Sequence, residues 1–275
     1  MRLFSDQIGK KLKFEKTPAR IVSIVPSQTE LICDLGLSKQ LVGVTKFCVH
    51  PKRIIQNKSK VGGTKKIDIN KVKLLSPDII IANKEENEKG QVEELENICP
   101  VWTSDIHNLN DAIHMISALG EILGAEKKSN EIIEKIESGF REYDQKRNLW
   151  RREQLKLSAA YLIWRKPYMV AGGDSFINCM MEVCGFENAF ADCLRYPEKS
   201  LDELKNCDVL LLSSEPFPFQ QKHIEELKKN FAELGGIKSP PKIVLVDGEI
   251  FSWYGSRIAL APSYFEALMQ NFVAL

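Results

Sequence analysis

Short apolar, β-branched runs alternate with helix-forming stretches along almost the whole chain, and each run is hydrophobic at consecutive positions instead of every second one. The runs are RIVSIV (20–25), QLVGVT (40–45), DIIIA (78–82), PVWTS (100–104), KLSAAYLIW (156–164), YMVAG (168–172), DVLLLS (208–213) and KIVLVD (242–247). A strand that is apolar on both faces must be covered on both faces, which predicts α/β layers around parallel-type sheets.

The alternation breaks once. From Asp111 to about Asn148 there is no strand candidate, and Ile132, Ile133, Ile136, Phe140 and Tyr143 fall close to one helical stripe among Glu and Lys. At about 1.5 Å per residue such a helix runs roughly 30 Å, enough to link two lobes as a rigid strut. The expected organisation is an N-terminal α/β lobe (1–124), a linking backbone helix (125–148) and a C-terminal α/β lobe (149–275). The halves also align with each other. Residues 76–95 lie on residues 206–227, with Asp78 on Asp208 and Glu85 on Glu215, and VPSQTELICDLG parallels AGGDSFINCMMEVCG.

Charge excludes some partners. Thirty-eight basic residues against 37 acidic ones leave a net charge of +1, so no global field draws nucleic acid or an anionic membrane surface. No stretch has the length and apolarity of a transmembrane helix. The first residues, MRLFSDQIGKKLKF, lack the apolar core of a signal peptide, and the seven cysteines are odd in number with no C-x-x-C pair. Both features point to free, buried thiols in a reducing, cytoplasmic compartment.

Catalytic signatures are missing. There is no G-x-S-x-G elbow, H-E-x-x-H, dinucleotide fingerprint or P-loop. The four histidines are scattered, and His114 and His223 sit in helical patterns as surface or packing residues. Cys48, His50, Asp105 and His107 follow strands, where open α/β sheets place ligands, and make up the weak candidate set for direct metal binding. Ser27 and Glu30 have capping-box spacing, which predicts a helix start whose amides point out of the first strand's end. Ser200 and Glu203 repeat that spacing. Gly172 and Gly173 allow a tight turn or a close backbone approach.

What stands out is the set of residues gathered at strand ends. Lys46 and Phe47 follow one strand, Trp164, Arg165, Lys166 and Tyr168 another, and Ser252, Trp253, Tyr254 and Arg257 the last. Large rings beside basic groups on one rim describe an apolar slot with a few charged hooks.

These segments resemble the class III periplasmic binding proteins, helical-backbone receptors that include the cobalamin-binding protein of ABC importers and receptors for ferric siderophores and haem. The matching stretches are RIVSIVPSQTELICDLGL, LVGVTKFCVHP, KVGGTKKIDINKVKLLSPDIIIA, the long helix, YMVAGGDSFINCMMEVCGFENAF and DGEIFSWYGSR, in order. The resemblance implies two α/β lobes joined by one long helix, with a ligand cleft between them. It also implies a non-enzymatic, monomeric receptor for a large metal-containing ligand held without covalent bonds, with a corrinoid ahead of a ferric siderophore or haem. Ser27, Lys46, Phe47, Trp164, Arg165, Lys166, Tyr168, Gly173, Ser252, Trp253, Tyr254 and Arg257 are its expected contacts. One acid from each lobe, Glu85 (or its neighbours Glu86 and Glu88) and Glu215, would dock an ABC permease dimer. Receptors of this kind work in the cell envelope, the opposite of what the N-terminus and cysteines indicate. A direct transition-metal binder and a cytosolic corrinoid- or tetrapyrrole-handling protein without a transporter are the alternatives.

Overall fold

The computed structural model describes residues 1–151, 157–234 and 239–273. They divide into two compact units, Met1–Glu137 with Tyr254–Ala259, and Ser138–Trp253 with Leu260–Leu275.

The first unit opens with a hairpin, β1 (Arg2–Ser5) and β2 (Lys11–Phe14), which is not among the strands expected from the sequence. Asp6 makes the turn by accepting the amides of Ile8 and Lys10, and Gly9 supplies the positive φ (+86°) that closes it. The hairpin joins the edge of the main sheet through the Gln7 amide, which donates to the Thr103 carbonyl. That sheet comprises β3 (Ile21–Ser23), β4 (Leu41–Val44), β5 (Ser59–Lys60), β6 (Ile79–Asn83) and β7 (Val101–Ser104) in the order β5-β4-β3-β6-β7, all parallel. Val22, Ile80, Val101, Val72 and Leu95 fill one face with almost no exposure.

In the second unit β8 (Leu157–Trp164), β9 (Tyr168–Val170), β10 (Phe186–Asn188), β11 (Glu198–Lys199), β12 (Val209–Ser213) and β13 (Lys242–Val246) form a sheet along the path β11-β9-β8-β12-β13. β10 pairs with β8 in parallel, beside its first residues. β9, expected within a parallel-type sheet, runs antiparallel to β8. The reason is length: the three residues Arg165, Lys166 and Pro167 can close a hairpin but not a crossover.

Both units use the same sheet centre, and the internal alignment has a physical basis. The Asp78 amide donates to the Arg20 carbonyl while Asp78 Oδ2 accepts from the Ala19 and Arg20 amides. The Asp208 amide donates to the Ser158 carbonyl while its Oδ2 accepts the Ser158 amide. Each aspartate thus clips the start of its strand to the central one, and each strand ends on a polar side chain that caps the next loop: Asn83 Oδ1 accepts from Glu85, and Ser213 Oγ from Glu215.

The strandless stretch is two helices, Leu109–Leu123 and Glu126–Arg151, divided at Gly124, whose φ of +69° ends the first. The second helix buries Ile136, Phe140 and Tyr143 as its stripe requires, and contributes residues to both units. Among the described residues no helix is long and apolar enough to cross a membrane.

Candidate functional site

In the first unit the parallel strands all deliver their carboxyl ends to one edge, where open α/β sheets receive ligands. The helix Pro26–Asp34 follows β3 with Pro26 in its first turn and Val25 as an N-cap that has no side-chain bond to give. The expected capping box is absent. Ser27 lies inside the first turn, 5% exposed, and Glu30 points instead to Arg257, which donates to both carboxylate oxygens at 2.8 and 2.7 Å.

After β4 a tight turn, in which the Cys48 amide donates to the Thr45 carbonyl, sends alternate side chains in opposite directions. Cys48 goes in, with its sulfur 3.1 Å from Thr29 Oγ1 and 3.2 Å from Thr45 Oγ1, and burial raises its thiol pKa. Phe47 and Val49 go out, 51% and 47% exposed. Lys46 Nζ lies 5.0 Å from the Phe47 ring centroid, and the ring lies along Gly63, where a Cβ would meet it at 3.1 Å. After β6, Asn83 Oδ1 holds the amides of Glu85 and Glu86 at 2.9 Å, leaving both side chains half-exposed and Glu88 exposed.

The second unit presents Trp164 at the carboxyl end of β8, 41% exposed. Phe217 meets it edge-on with centroids 5.7 Å apart, and the Phe217 amide bonds the Ile163 carbonyl, fixing that loop to the strand. Lys166 stands in the hairpin turn with φ +60° and its side chain 70% exposed.

Several expected contacts are used internally. The Trp253 indole is 8% exposed and Tyr254 6%, so neither is a wall open to solvent. Trp253 Nε1 donates to Glu215 Oε1 at 2.8 Å and Ser252 Oγ donates to the same oxygen at 2.7 Å. Glu215, expected as a solvated docking acid, is therefore a half-buried acceptor, and burial raises its carboxyl pKa, with Glu249 and Asp247 adding to the rise. Gly248 makes room for it, since a Cβ there would lie 2.6 Å from Glu215 Cγ. Arg165 is bound by Glu226, and Arg257 by Glu30, so neither guanidinium is an open hook. Tyr168 packs against the core beneath the helix Gln221–Leu234. Gly173 gives its amide to the Cys193 carbonyl, and a Cβ there would fall 2.0 Å from the Ala191 oxygen, so it serves close backbone packing.

The candidate metal set does not assemble. His107 Nε2 lies 3.0 Å from Asp105 Oδ1 and Lys84 Nζ 2.5 Å from Asp105 Oδ2, while Cys48 is packed between threonines. Among the described residues no group of three His, Cys, Asp or Glu side chains is placed to hold a metal ion. All seven cysteines are free, and burial pushes the Cys207 thiol up to about 11. Sequence reading missed Val49 and Phe217. Both follow strands inside short turns, FCVHP and EPFPF, where no periodicity says which apolar residue faces out.

Of the expected contacts, Lys46 and Phe47 in the first unit and Trp164 and Lys166 in the second keep exposed side chains on a carboxyl-end rim, with Lys46 over the Phe47 ring.

The chain is similar to several known proteins. The chain is 27% identical over 191 residues to an ABC transporter substrate-binding lipoprotein of Bacillus subtilis, across 68% of this chain and 60% of the relative. The aligned stretch thus spans less than two thirds of that relative's length. Over 206 residues it is 27% identical to a vitamin B12-binding protein of Vibrio campbellii, covering 74% of this chain and 71% of that protein. Among solved structures, a periplasmic heme binding protein of Pseudomonas aeruginosa superimposes with a TM-score of 0.80 over 94% of this chain and 93% of the other; at 20% identity this shows a shared fold. The family model described as periplasmic binding protein matches residues 21–237, well over half of the chain, and the chain belongs to that family.

Proposed function

We propose that this protein is the solute-binding component of an ABC-type importer and that its cargo is a large metal chelate, a corrinoid first, a ferric siderophore or haem next. The observation that carries the reading is the exposed ring beside a lysine on the carboxyl-end rim of each sheet, Phe47 with Lys46 and Trp164 with Lys166. Rings of this size cover flat apolar faces without needing a particular functional group, and each lysine meets a peripheral polar atom. The names of the Vibrio and Pseudomonas proteins, which bind vitamin B12 and heme, support the same class of cargo. The metal travels as part of the cargo, held by its own chelator.

Glu85, with Glu86 and Glu88 beside it, is the docking acid we assign to the first unit for a permease partner. Its loop is held rigidly by Asn83 and by Lys65 Nζ, which donates to the Glu85 carbonyl at 2.7 Å.

Calorimetric titration of the purified protein with cobalamin, hemin and ferric siderophores tests the proposal. Binding of at least one chelate with a Kd of micromolar or below is expected. Binding no tighter than millimolar to all of them, in folded protein, refutes it.

A further inference from the structure

We infer that the Trp164 platform is built for a metal chelate of low net charge, bordered by amide or hydroxamate groups and not by several carboxylates or catecholates, and that Glu226 sets this preference. The inference rests on the proposed receptor function and narrows its cargo.

The platform is a stack of rings, and the two cations that follow Trp164 in the chain share one carboxylate. Phe217 supports Trp164 edge-on, and Phe219 and His223 support Phe217 with centroids 4.8 and 5.2 Å away. His223 Nδ1 accepts the Gln220 amide at 2.9 Å, which ties the lone pair of that nitrogen and fixes the ring. Burial, with Arg165 and Lys222 nearby, depresses its pKa.

The arginine next to Trp164 is already paired. Arg165 Nη2 donates to both oxygens of Glu226, and the two side chains are only 22% and 30% exposed. Lys166 Nζ lies 3.7 Å from the same carboxylate. The bond from Arg165 holds the Glu226 carboxyl below its ordinary range. One carboxylate therefore serves two cations and leaves one net positive charge at an exposed turn.

A free guanidinium would be the best available partner for a carboxylate-bearing ligand. A paired one has to be pulled off its own carboxylate first, leaving half-buried Glu226 with only the looser Lys166 contact. A chelate bordered by amides or hydroxamates has only to cover the exposed ring. The arginine of the first unit is held in the same way. Arg257, the arginine its sequence offers as a ligand hook, is held by Glu30 with side chains 12% and 15% exposed.

The test is a calorimetric titration of wild-type protein, Glu226→Gln and Arg165→Gln with four probes: cobalamin, a neutral ferric trihydroxamate, hemin with its two carboxylates, and a trianionic ferric tricatecholate. For the wild type we expect a neutral-bordered probe to bind at least tenfold more tightly than both anionic probes. Glu226→Gln frees Arg165 and should tighten an anionic probe tenfold or more while the preferred probe moves less than threefold. Should that variant fail to fold, Arg165→Gln decides, because it should leave affinity for the preferred probe unchanged. An anionic probe preferred by the wild type, no gain for the anionic probes in Glu226→Gln, or a tenfold loss of the preferred probe in Arg165→Gln overturns this inference alone. No binding of any probe overturns the receptor function, and this inference with it.

Discussion

Replacing Arg257 by alanine removes one partner of a pair that is nearly out of solvent. In the wild type the guanidinium donates through Nε and Nη2 to both oxygens of Glu30, with side chains 12% and 15% exposed. Breaking such a pair strands the other charge, at a cost of roughly 3–5 kcal/mol for a fully buried pair. The residual exposure here puts the expectation near the lower end, about 3 kcal/mol. Burial already raises the Glu30 pKa above its ordinary 4.5, and Arg257 is the strongest influence lowering it. The sign follows: a raised carboxyl favours the fold fully below about 4.5, and that benefit is lost as pH climbs through the folded pKa. Without Arg257 the carboxyl rises further, so the variant should lose more stability at pH 8 than at pH 5. Because the chain has two units, global unfolding need not be two-state. Hydrogen exchange of the helix Pro26–Asp34 reads the first unit directly, and about 3 kcal/mol corresponds to roughly hundredfold faster exchange. Adding Glu30→Gln should restore more than half of the loss. Less than a threefold change in exchange, or an equal loss at both pH values, would refute the reasoning.

Asp78→Ala should cost about 1–2 kcal/mol and Asp208→Ala about 1, in that order, because the first accepts two backbone amides and the second one; denaturation of each variant measures it. Gly173→Ala should destabilise by about 1–3 kcal/mol, since its Cβ meets a backbone oxygen at 2.0 Å, whereas Gly90→Ala, in a helix with open space around it, should stabilise by about 0.5–1; thermal melts of the pair decide. Glu203, in the capping box with Ser200, has its pKa lowered to about 2 by the Ser200 amide, the Lys199 ammonium and the Ser200 hydroxyl. Its contribution is present above about 4.5 and lost as pH falls toward 2, so Glu203→Gln should lower stability at pH 6 and flatten the acid limb of the stability curve.

The sheets were readable because continuous apolar runs have few other uses, and all of those named at the outset contain a strand. The β8–β9 hairpin was readable too, had the three-residue gap closed by Pro167 been weighed against the length a crossover needs. The N-terminal hairpin was hidden because RLFS and KLKF are short and half polar, as edge strands often are. At the site the sequence could say which residues follow strands but not which way they turn. Phe47 and Trp253 look alike as rings after a strand, yet one is half exposed and the other buried with its indole on Glu215. The difference lies in partners distant in sequence. Glu226 stands 61 residues from Arg165, and Glu30 stands 227 residues from Arg257. No local spacing announces a carboxylate that will neutralise a distant arginine, whereas Asp78 and Asp208 were visible because the repeat places them in register.

The central claim is that the exposed ring on each unit's carboxyl-end rim serves to bind a bulky chelate. Equilibrium binding of the preferred chelate to wild-type protein, Phe47→Ala and Trp164→Ala, measured side by side, tests it most directly. Covering a large ring contributes about 1.5–3 kcal/mol when complete, so each truncation of a half-exposed ring should weaken binding of the folded protein about tenfold. Wild-type affinity in both variants would contradict the account.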